Sequence, residues 1–349
     1  MARASYSTWF LGTVACVLAA FALFNFWADD FVLRHHAGAS LQTVSGFERV
    51  LKPAWFASIS PAVVIVGSSR VRNGFDPVLL DPAFDIRSFN YGVSSISAYE
   101  TRRFVQDAAA RPSVKVILVA LDAFSSEGAV ARTGQGFDEM RLAVTADGAP
   151  TRNRRFWLSA TRYLSGGALG MHALGLWLLA HLSPSQNAAD RPDLFEAYGR
   201  MTPAIFAADM RHRRSRVMQL SAHDHAQLRA MLAAICRRPV RLILFFPPDN
   251  AAMIARYEAN DSNGLHAFKT MVVADAIRHN FTCASKLAVF DFLRPSAITT
   301  APFVAGASDN YSDLVHFRPA VGVRLLRVML DRAHAGSDAA LGHDLASGD

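Results

Sequence analysis

This sequence predicts an α/β fold: a three-layer α/β/α arrangement around a mainly parallel sheet, with a helical insertion and an N-terminal transmembrane helix. Three observations carry that reading. Five short strand-like runs, most of them continuously apolar, lie between residues 62 and 292; amphipathic helix-like segments separate them; and an uncharged apolar stretch precedes everything. Strands that are apolar throughout, rather than alternating, are buried on both faces, which puts helices on both sides of a parallel sheet. With 51% hydrophobic and 19% charged residues in 349, the chain has the apolar surface a folded body needs, so disordered and fibrous classes are excluded.

From Trp9 to Trp27 the chain carries no charge. As a helix this run rises about 29 Å, close to the hydrocarbon thickness of a bilayer. Trp9, Phe26 and Trp27 suit the two interfaces, and the short end before the run, with Arg3, stays inside, leaving the body outside the cytoplasm. The run is longer than the apolar part of a signal peptide, and no clear cleavage site follows before Ala37 to Ala39, so an uncleaved anchor is favoured over a removed leader. The expected location is the cell inner membrane, single-pass, with a periplasmic body. Residues 1–27 are thus the cytoplasmic end and anchor, 28–60 a connector with a short helix, 61–332 the α/β domain, and 333–349 a Gly-, Ala-, Ser- and Asp-rich tail read as disordered.

Within the domain the strand runs are Ala62 to Val66, Asp85 to Phe89, Val114 to Leu121, Val240 to Phe246 and Leu287 to Phe292. Ser97 to Arg111, Ser221 to Arg237 and Gly264 to His279 read as amphipathic crossover helices, and Pro319 opens a last helix that runs to Leu330. Between residues 125 and 220 no convincing strand occurs, which makes this the helical insertion. Its apolar run Tyr163 to Leu182 is interrupted by glycines, His172 and His181, and reads as a buried or lid-forming helix rather than one lying on the membrane or a second span.

Charge and cysteine usage narrow the classes further. The net +7 is scattered apart from Arg152 to Arg155 and Arg211 to Arg216, and no basic and aromatic binding motif accompanies it, so nucleic acid is not expected as a partner. Cys16 lies in the anchor. Cys236 and Cys283 each precede a strand run, and two readings stand: a disulfide across adjacent parallel strands, or two unpaired buried thiols. No cysteine or histidine spacing suits a metal, His35-His36 and His223-Asp224-His225 being read as solvated, and no cofactor is expected.

Gly67-Ser68-Ser69-Arg70 stands at the end of the first strand, the edge where open α/β sheets bind ligands. A serine there is either a helix cap or a nucleophile near helix N–H groups. Far downstream, Asp313 and His316 have a spacing that lets the carboxylate orient the imidazole, whose other nitrogen can take a proton from a serine. Arg70 and Arg72 suggest either contacts to an anionic substrate or ordinary surface and helix roles, Asp122 either a hydrogen bond within the site loops or a structural role at the strand end, and Asp249 or Asn250 either substrate contacts or a plain turn. The GxSxG elbow, a phosphate-binding loop and HExxH are absent.

Together these blocks resemble the SGNH (GDSL-like) hydrolase family, over about residues 60 to 330. The resemblance implies a flavodoxin-like sheet, Ser69 as nucleophile, Asp313 and His316 as its partners, and an oxyanion hole from the Ser69 and Gly92 N–H groups. Phe89-Asn90-Tyr91-Gly92 matches the second block, with Asn90 near the substrate beside Arg70 and Asp122. The third block, Gly-x-Asn-Asp, is replaced by Ala120-Leu121-Asp122-Ala123-Phe124, so its side-chain oxyanion donor is missing. With Ser68 in place of the usual Asp, the pattern is similar to a membrane-anchored extracytoplasmic branch that includes the D-alanyl-lipoteichoic acid transfer protein and alginate acetylation proteins. That likeness implies an esterase or O-acyltransferase on acyl, above all acetyl, esters of a cell-surface or exported polysaccharide, beside a multispanning acyltransferase partner. The rival is a catalytically inactive carbohydrate-binding or assembly subunit.

Overall fold

A computed structural model describes residues 3–34, 48–124, 133–134, 136–151, 203–212, 218–304 and 308–346. The apolar stretch Tyr163 to Leu182, Arg152 to Arg155, His35-His36 and most of the insertion lie outside them. Helix α1 (Arg3–Arg34) contains the apolar segment Tyr6–Phe24, none of it buried and long enough to cross a membrane.

The sheet has six strands in the order β2-β1-β3-β4-β5-β6. Strands β1 (Val63–Gly67), β2 (Ser88–Gly92), β3 (Val116–Ala120), β4 (Arg241–Phe246) and β5 (Leu287–Asp291) are parallel, and β6 (His343–Asp344) pairs antiparallel with β5. Because strand side chains alternate between faces, the apolar strands feed two separate clusters. Val64, Val66, Ile117 and Val119 join residues of α2 (Glu48–Ser58), α5 (Ala98–Ala109), α7 (Ala222–Ile235) and α8 (Ala251–Thr282), and Phe206 and Met210 of α6 (Pro203–His212) pack against them. Val63, Ile65, Leu118 and Ala120 join residues of α3 (Ser69–Gly74), α4 (Pro77–Phe84) and α9 (Pro319–Leu330). Local chemistry fixes the crossover starts: Ser97 and Glu100 form a reciprocal capping box on α5, and Ser221 caps α7 by accepting from the Asp224 N–H.

Four sequence expectations change. The second strand begins at Ser88, not Asp85, because Asp85 sits in the left-handed region (φ 50°) and closes α4, whose Asp76 cap and Pro77 are its start signals. The helix expected from Gly264 is the second part of α8. The first part ends where Asp261 breaks the helical dihedrals and accepts from the Gly264 N–H at 2.8 Å. The segment 28–60 is not merely a connector, since α2 buries Leu51, Trp55 and Phe56 in the core. Finally, the tail is not disordered over 333–346. Leu345 N donates to Val289 O at 2.7 Å, Asp344 accepts from the Val289 N–H at 3.1 Å, and Arg324 pairs with Asp338. Its composition is that of a loop, and pairing with a free sheet edge is what orders it.

Cys236 and Cys283 form a disulfide at the amino edge of the sheet, with Cα atoms 4.7 Å apart and a sequence separation of 47. The Ala284 N–H also donates to Cys236 O, so backbone and bond close the same loop. Cross-linking a loop of this length removes enough unfolded-chain entropy to be worth about 2–4 kcal/mol. The double variant Cys236→Ser/Cys283→Ser, and the wild type under reductant, are therefore expected to lose that much in urea unfolding, read by circular dichroism in detergent. Unchanged midpoints on reduction would show that the bond does not constrain the fold.

Candidate active site

The chain changes winding direction at β1, which lies between β2 and β3, and ligand crevices form at such points beyond the carboxyl ends of the strands. Ser69 stands there as the first residue of α3. Ser68 is the cap: its Oγ accepts from the Arg70 N–H at 3.2 Å. Both readings of the Ser-Ser pair therefore hold, one on each residue. Ser69 Oγ is 2.8 Å from His316 Nε2, and His316 Nδ1 is 2.6 Å from Asp313 Oδ2. The other carboxylate oxygen of Asp313 accepts from the Val315 and His316 N–H groups, each at 2.8 Å. Burial raises the Asp313 pKa, but the imidazole and the two N–H donors outweigh it and hold the carboxyl well below the usual range.

A tight loop positions the imidazole. Tyr311 bridges to Phe317, Ser312 N donates to His316 O at 3.0 Å, and Arg318 N donates to Asn310 O at 2.9 Å. Phe317 then plugs the loop onto α3, its ring edge-on to Phe75 at 5.6 Å, while Asn250 N donates to Leu314 O from the end of β4. Residues nearly 250 positions apart in sequence are thus brought to hydrogen-bond distance by the meeting of two loops at one sheet edge.

Arg70 and Asp122 lie beneath the Ser69 turn, where Asp122 makes the hydrogen bond within the site loops that its position suggested. Arg70 is buried and forks onto Asp249, Nε to Oδ1 at 2.7 Å and Nη2 to Oδ2 at 2.8 Å, while its Nη1 reaches Asp122 at 3.1 Å. Ser68 Oγ donates to the same Asp122 oxygen, and Tyr257 OH donates to Asp249 at 2.7 Å. A guanidinium in a dry interior is tolerable only when its donors are matched in this way, which spends Arg70 on structure rather than substrate. The Asp249 carboxylate is held by Arg70 and Tyr257, and Asn250 caps α8 by accepting from the Ala252 N–H.

Asn90 and Gly92 are corrected as well. The Asn90 amide donates to Val71 O, Arg72 O and Phe75 O at 2.5–3.1 Å, gathering carbonyls at the end of α3, of which Val71 O also accepts from the Phe75 N–H. Its oxygen accepts from the Gly92 N–H at 2.7 Å, so this N–H is already engaged and does not point an unused donor at the site. Glycine is required here for packing, since a Cβ would collide with the Arg72 backbone. The Ser69 N–H is different: among the described residues nothing accepts from it.

Sequence reasoning missed the cluster beside these residues. Arg72 Nη1 donates to Glu48 at 2.7 Å and to Ser94 Oγ at 2.6 Å, and Lys52 Nζ donates to Gly92 O at 2.5 Å and to Asn90 Oδ1 at 3.3 Å. Arg72 therefore serves a buried ion pair, not the anionic contact expected of it. Glu48 and Lys52 are four apart on a helix, a spacing that in sequence reads as an ordinary solvated pair. Burial brings Lys52 down to about 7, with Glu48 opposing and Arg72 adding to the fall.

His223-Asp224-His225 forms the capped first turn of α7 with His223 exposed, as the sequence suggested, but Asp224 is buried and His225 Nε2 is 2.6 Å from Asp275. Among the described residues no group of three or more His, Cys, Asp or Glu has metal-holding geometry. No protein-family model matches this sequence, and no curated protein matches it significantly.

Two stability measurements follow. Arg70→Met leaves Asp249 and Asp122 buried without their cation, and urea unfolding is expected to show a loss of about 3–5 kcal/mol. For Lys52, the unfolded chain binds the proton that the folded protein releases between about 7 and the ordinary lysine value of 10.5, so stability rises with pH across that window. Thermal unfolding from pH 6.5 to 10 should therefore show a steeper rise in wild type than in Lys52→Met; identical slopes would contradict the burial of this amine.

Proposed function

We propose that this chain is a membrane-anchored, extracytoplasmic serine esterase or O-acyltransferase of the SGNH type, acting on acyl esters, above all acetyl, of a cell-surface or exported polysaccharide. The observation that carries the reading is the unbroken hydroxyl, imidazole and carboxylate line of Ser69, His316 and Asp313 at the carboxyl edge of the sheet. The strand order and the two apolar clusters support the three-layer, flavodoxin-like arrangement of that family. The apolar helix and the disulfide support a single-pass inner-membrane protein with its body in the oxidising periplasm.

In this mechanism His316 Nε2 takes the Ser69 proton as Oγ attacks the ester carbonyl carbon. The oxyanion meets the Ser69 N–H, and collapse expels the alcohol, which leaves with the proton held by His316. Asp313 stays ionised throughout and holds the imidazole in the tautomer that accepts from serine. The acyl-enzyme then passes its acyl group to water, as an esterase, or to a sugar hydroxyl, as a transferase, with His316 deprotonating the acceptor. Anchorage beside a membrane-embedded acyl donor favours transfer, and a multispanning acyltransferase is the partner the family likeness implies.

One observation favours the second reading, an inactive carbohydrate-binding or assembly subunit. The Gly92 N–H is engaged by Asn90, and Asp122 replaces the amide donor of the third block, so the Ser69 N–H is the sole oxyanion donor identified among the described residues. Losing one such donor typically costs about 10²–10³ in rate.

A fluorophosphonate probe on the detergent-solubilised protein separates the two. Covalent labelling is expected on Ser69, absent in Ser69→Ala, and slowed about 10²–10⁴-fold in His316→Ala. A folded wild type that resists the probe, or a label mapped to Ser68, would remove the enzyme reading.

A further inference from the structure

We propose that the carboxyl edge of the sheet, with Ser69 on it, faces the bilayer, so that the site receives substrate groups presented at the lipid headgroup layer. The inference rests on reading α1 as a membrane anchor and adds an orientation to it.

The point where the chain enters the domain carries the argument. After α1 the next described residue is Glu48, the first of α2. Glu48 is buried against Arg72, one turn beyond Ser69 on the same short helix, and it accepts from Ser94 Oγ, just past the end of β2, at 2.9 Å. Arg49 pairs with Glu100 at 2.6 Å and donates to Ser95 O at 3.0 Å, while Lys52 reaches Gly92 O. Helix α2 therefore starts at the carboxyl edge, pinned to the loops that follow β1 and β2. It then descends about 16 Å to the amino edge, where Ser60 leads into β1. These buried ion pairs make the entry point part of the rigid body.

Tether length turns that entry point into an orientation. A globular body of this size is about 50 Å across. Thirteen residues separate α1 from α2, and a segment of that length spans about 50 Å at most. The end of α1 beyond Trp27 adds about 10 Å. With the carboxyl edge toward the membrane the tether is comfortably long; with that edge away, it must run nearly straight past the whole domain. The amino edge offers the rival surface, since Ile277 and Phe281 are exposed there, Phe281 by 86%, near the Cys236–Cys283 disulfide.

The test uses the full chain with Cys16→Ser, reconstituted in phosphatidylethanolamine and phosphatidylglycerol vesicles that contain a headgroup-labelled acceptor lipid. Single cysteines carry the donor fluorophore, at Ser95 or Ala297 on the carboxyl edge and at Ser60 or Arg87 on the amino edge; two positions per edge keep the test alive should one variant misfold. The edges stand about 20 Å apart along the strands. Energy transfer to the lipid is expected to be several-fold higher from Ser95→Cys and Ala297→Cys than from Ser60→Cys and Arg87→Cys. Equal transfer, or the reverse order, in protein that floats with the vesicles would overturn the orientation and leave the anchor intact. Failure to float with vesicles would remove the anchor, and this inference with it.

Discussion

A helix of six residues cannot hold itself in place, yet α3 is the element that carries Ser69. Isolated helices of that length are far from stable in water, so its position must be imposed from outside. Arg70 imposes it at one end, forked onto Asp249 and touching Asp122, which in turn orients the Ser68 cap. Asn90 imposes it at the other, gathering three carbonyls where the helix stops. The distance from Ser69 to His316 has meaning only because both ends of this turn are held.

Burying so many charged groups at one edge is costly, and the structure offsets the cost by matching donors to acceptors. Arg70 meets two carboxylates, Arg72 meets Glu48 and Ser94, and Arg49 meets Glu100. Burial and Asp249 push the Tyr311 hydroxyl far above its ordinary value, so it stays protonated beside this network. Satisfied ion clusters of this kind contribute less to net stability than to holding one arrangement, because any slip leaves a charge unpaired in a dry interior. That rigidity keeps Ser69 and His316, which come from distant parts of the chain, at hydrogen-bond distance.

The two sides of the carboxyl edge around Ser69 are built differently. The carboxylate, imidazole and hydroxyl are aligned, and Asp313 is fixed by two backbone donors. Opposite them, Gly92 closes the strand against the backbone of Arg72 instead of offering its N–H.

The sequence by itself determined the parallel sheet, four of the five main strands to within a few residues, the capped helices α5 and α7, and the three side chains of the Ser, His and Asp line. Each was legible because its signal is local: continuous apolar runs, cap residues, and a short block at a strand end. Tertiary structure alone decided what the neighbouring polar residues do. Arg70, Asn90 and Asp122 sit in the blocks where substrate contacts are expected, and folding turns them inward onto groups of other elements: Asp249 for Arg70, the carbonyls at the end of α3 for Asn90, and Ser68 and Arg70 for Asp122. The disulfide, left open by the sequence, was settled the same way, by the adjacency of β4 and β5. The ordered tail and Glu48 follow the same rule. Hydrogen bonds and ion pairs across the sheet depend on which chain segments meet, and composition within a segment does not carry that information.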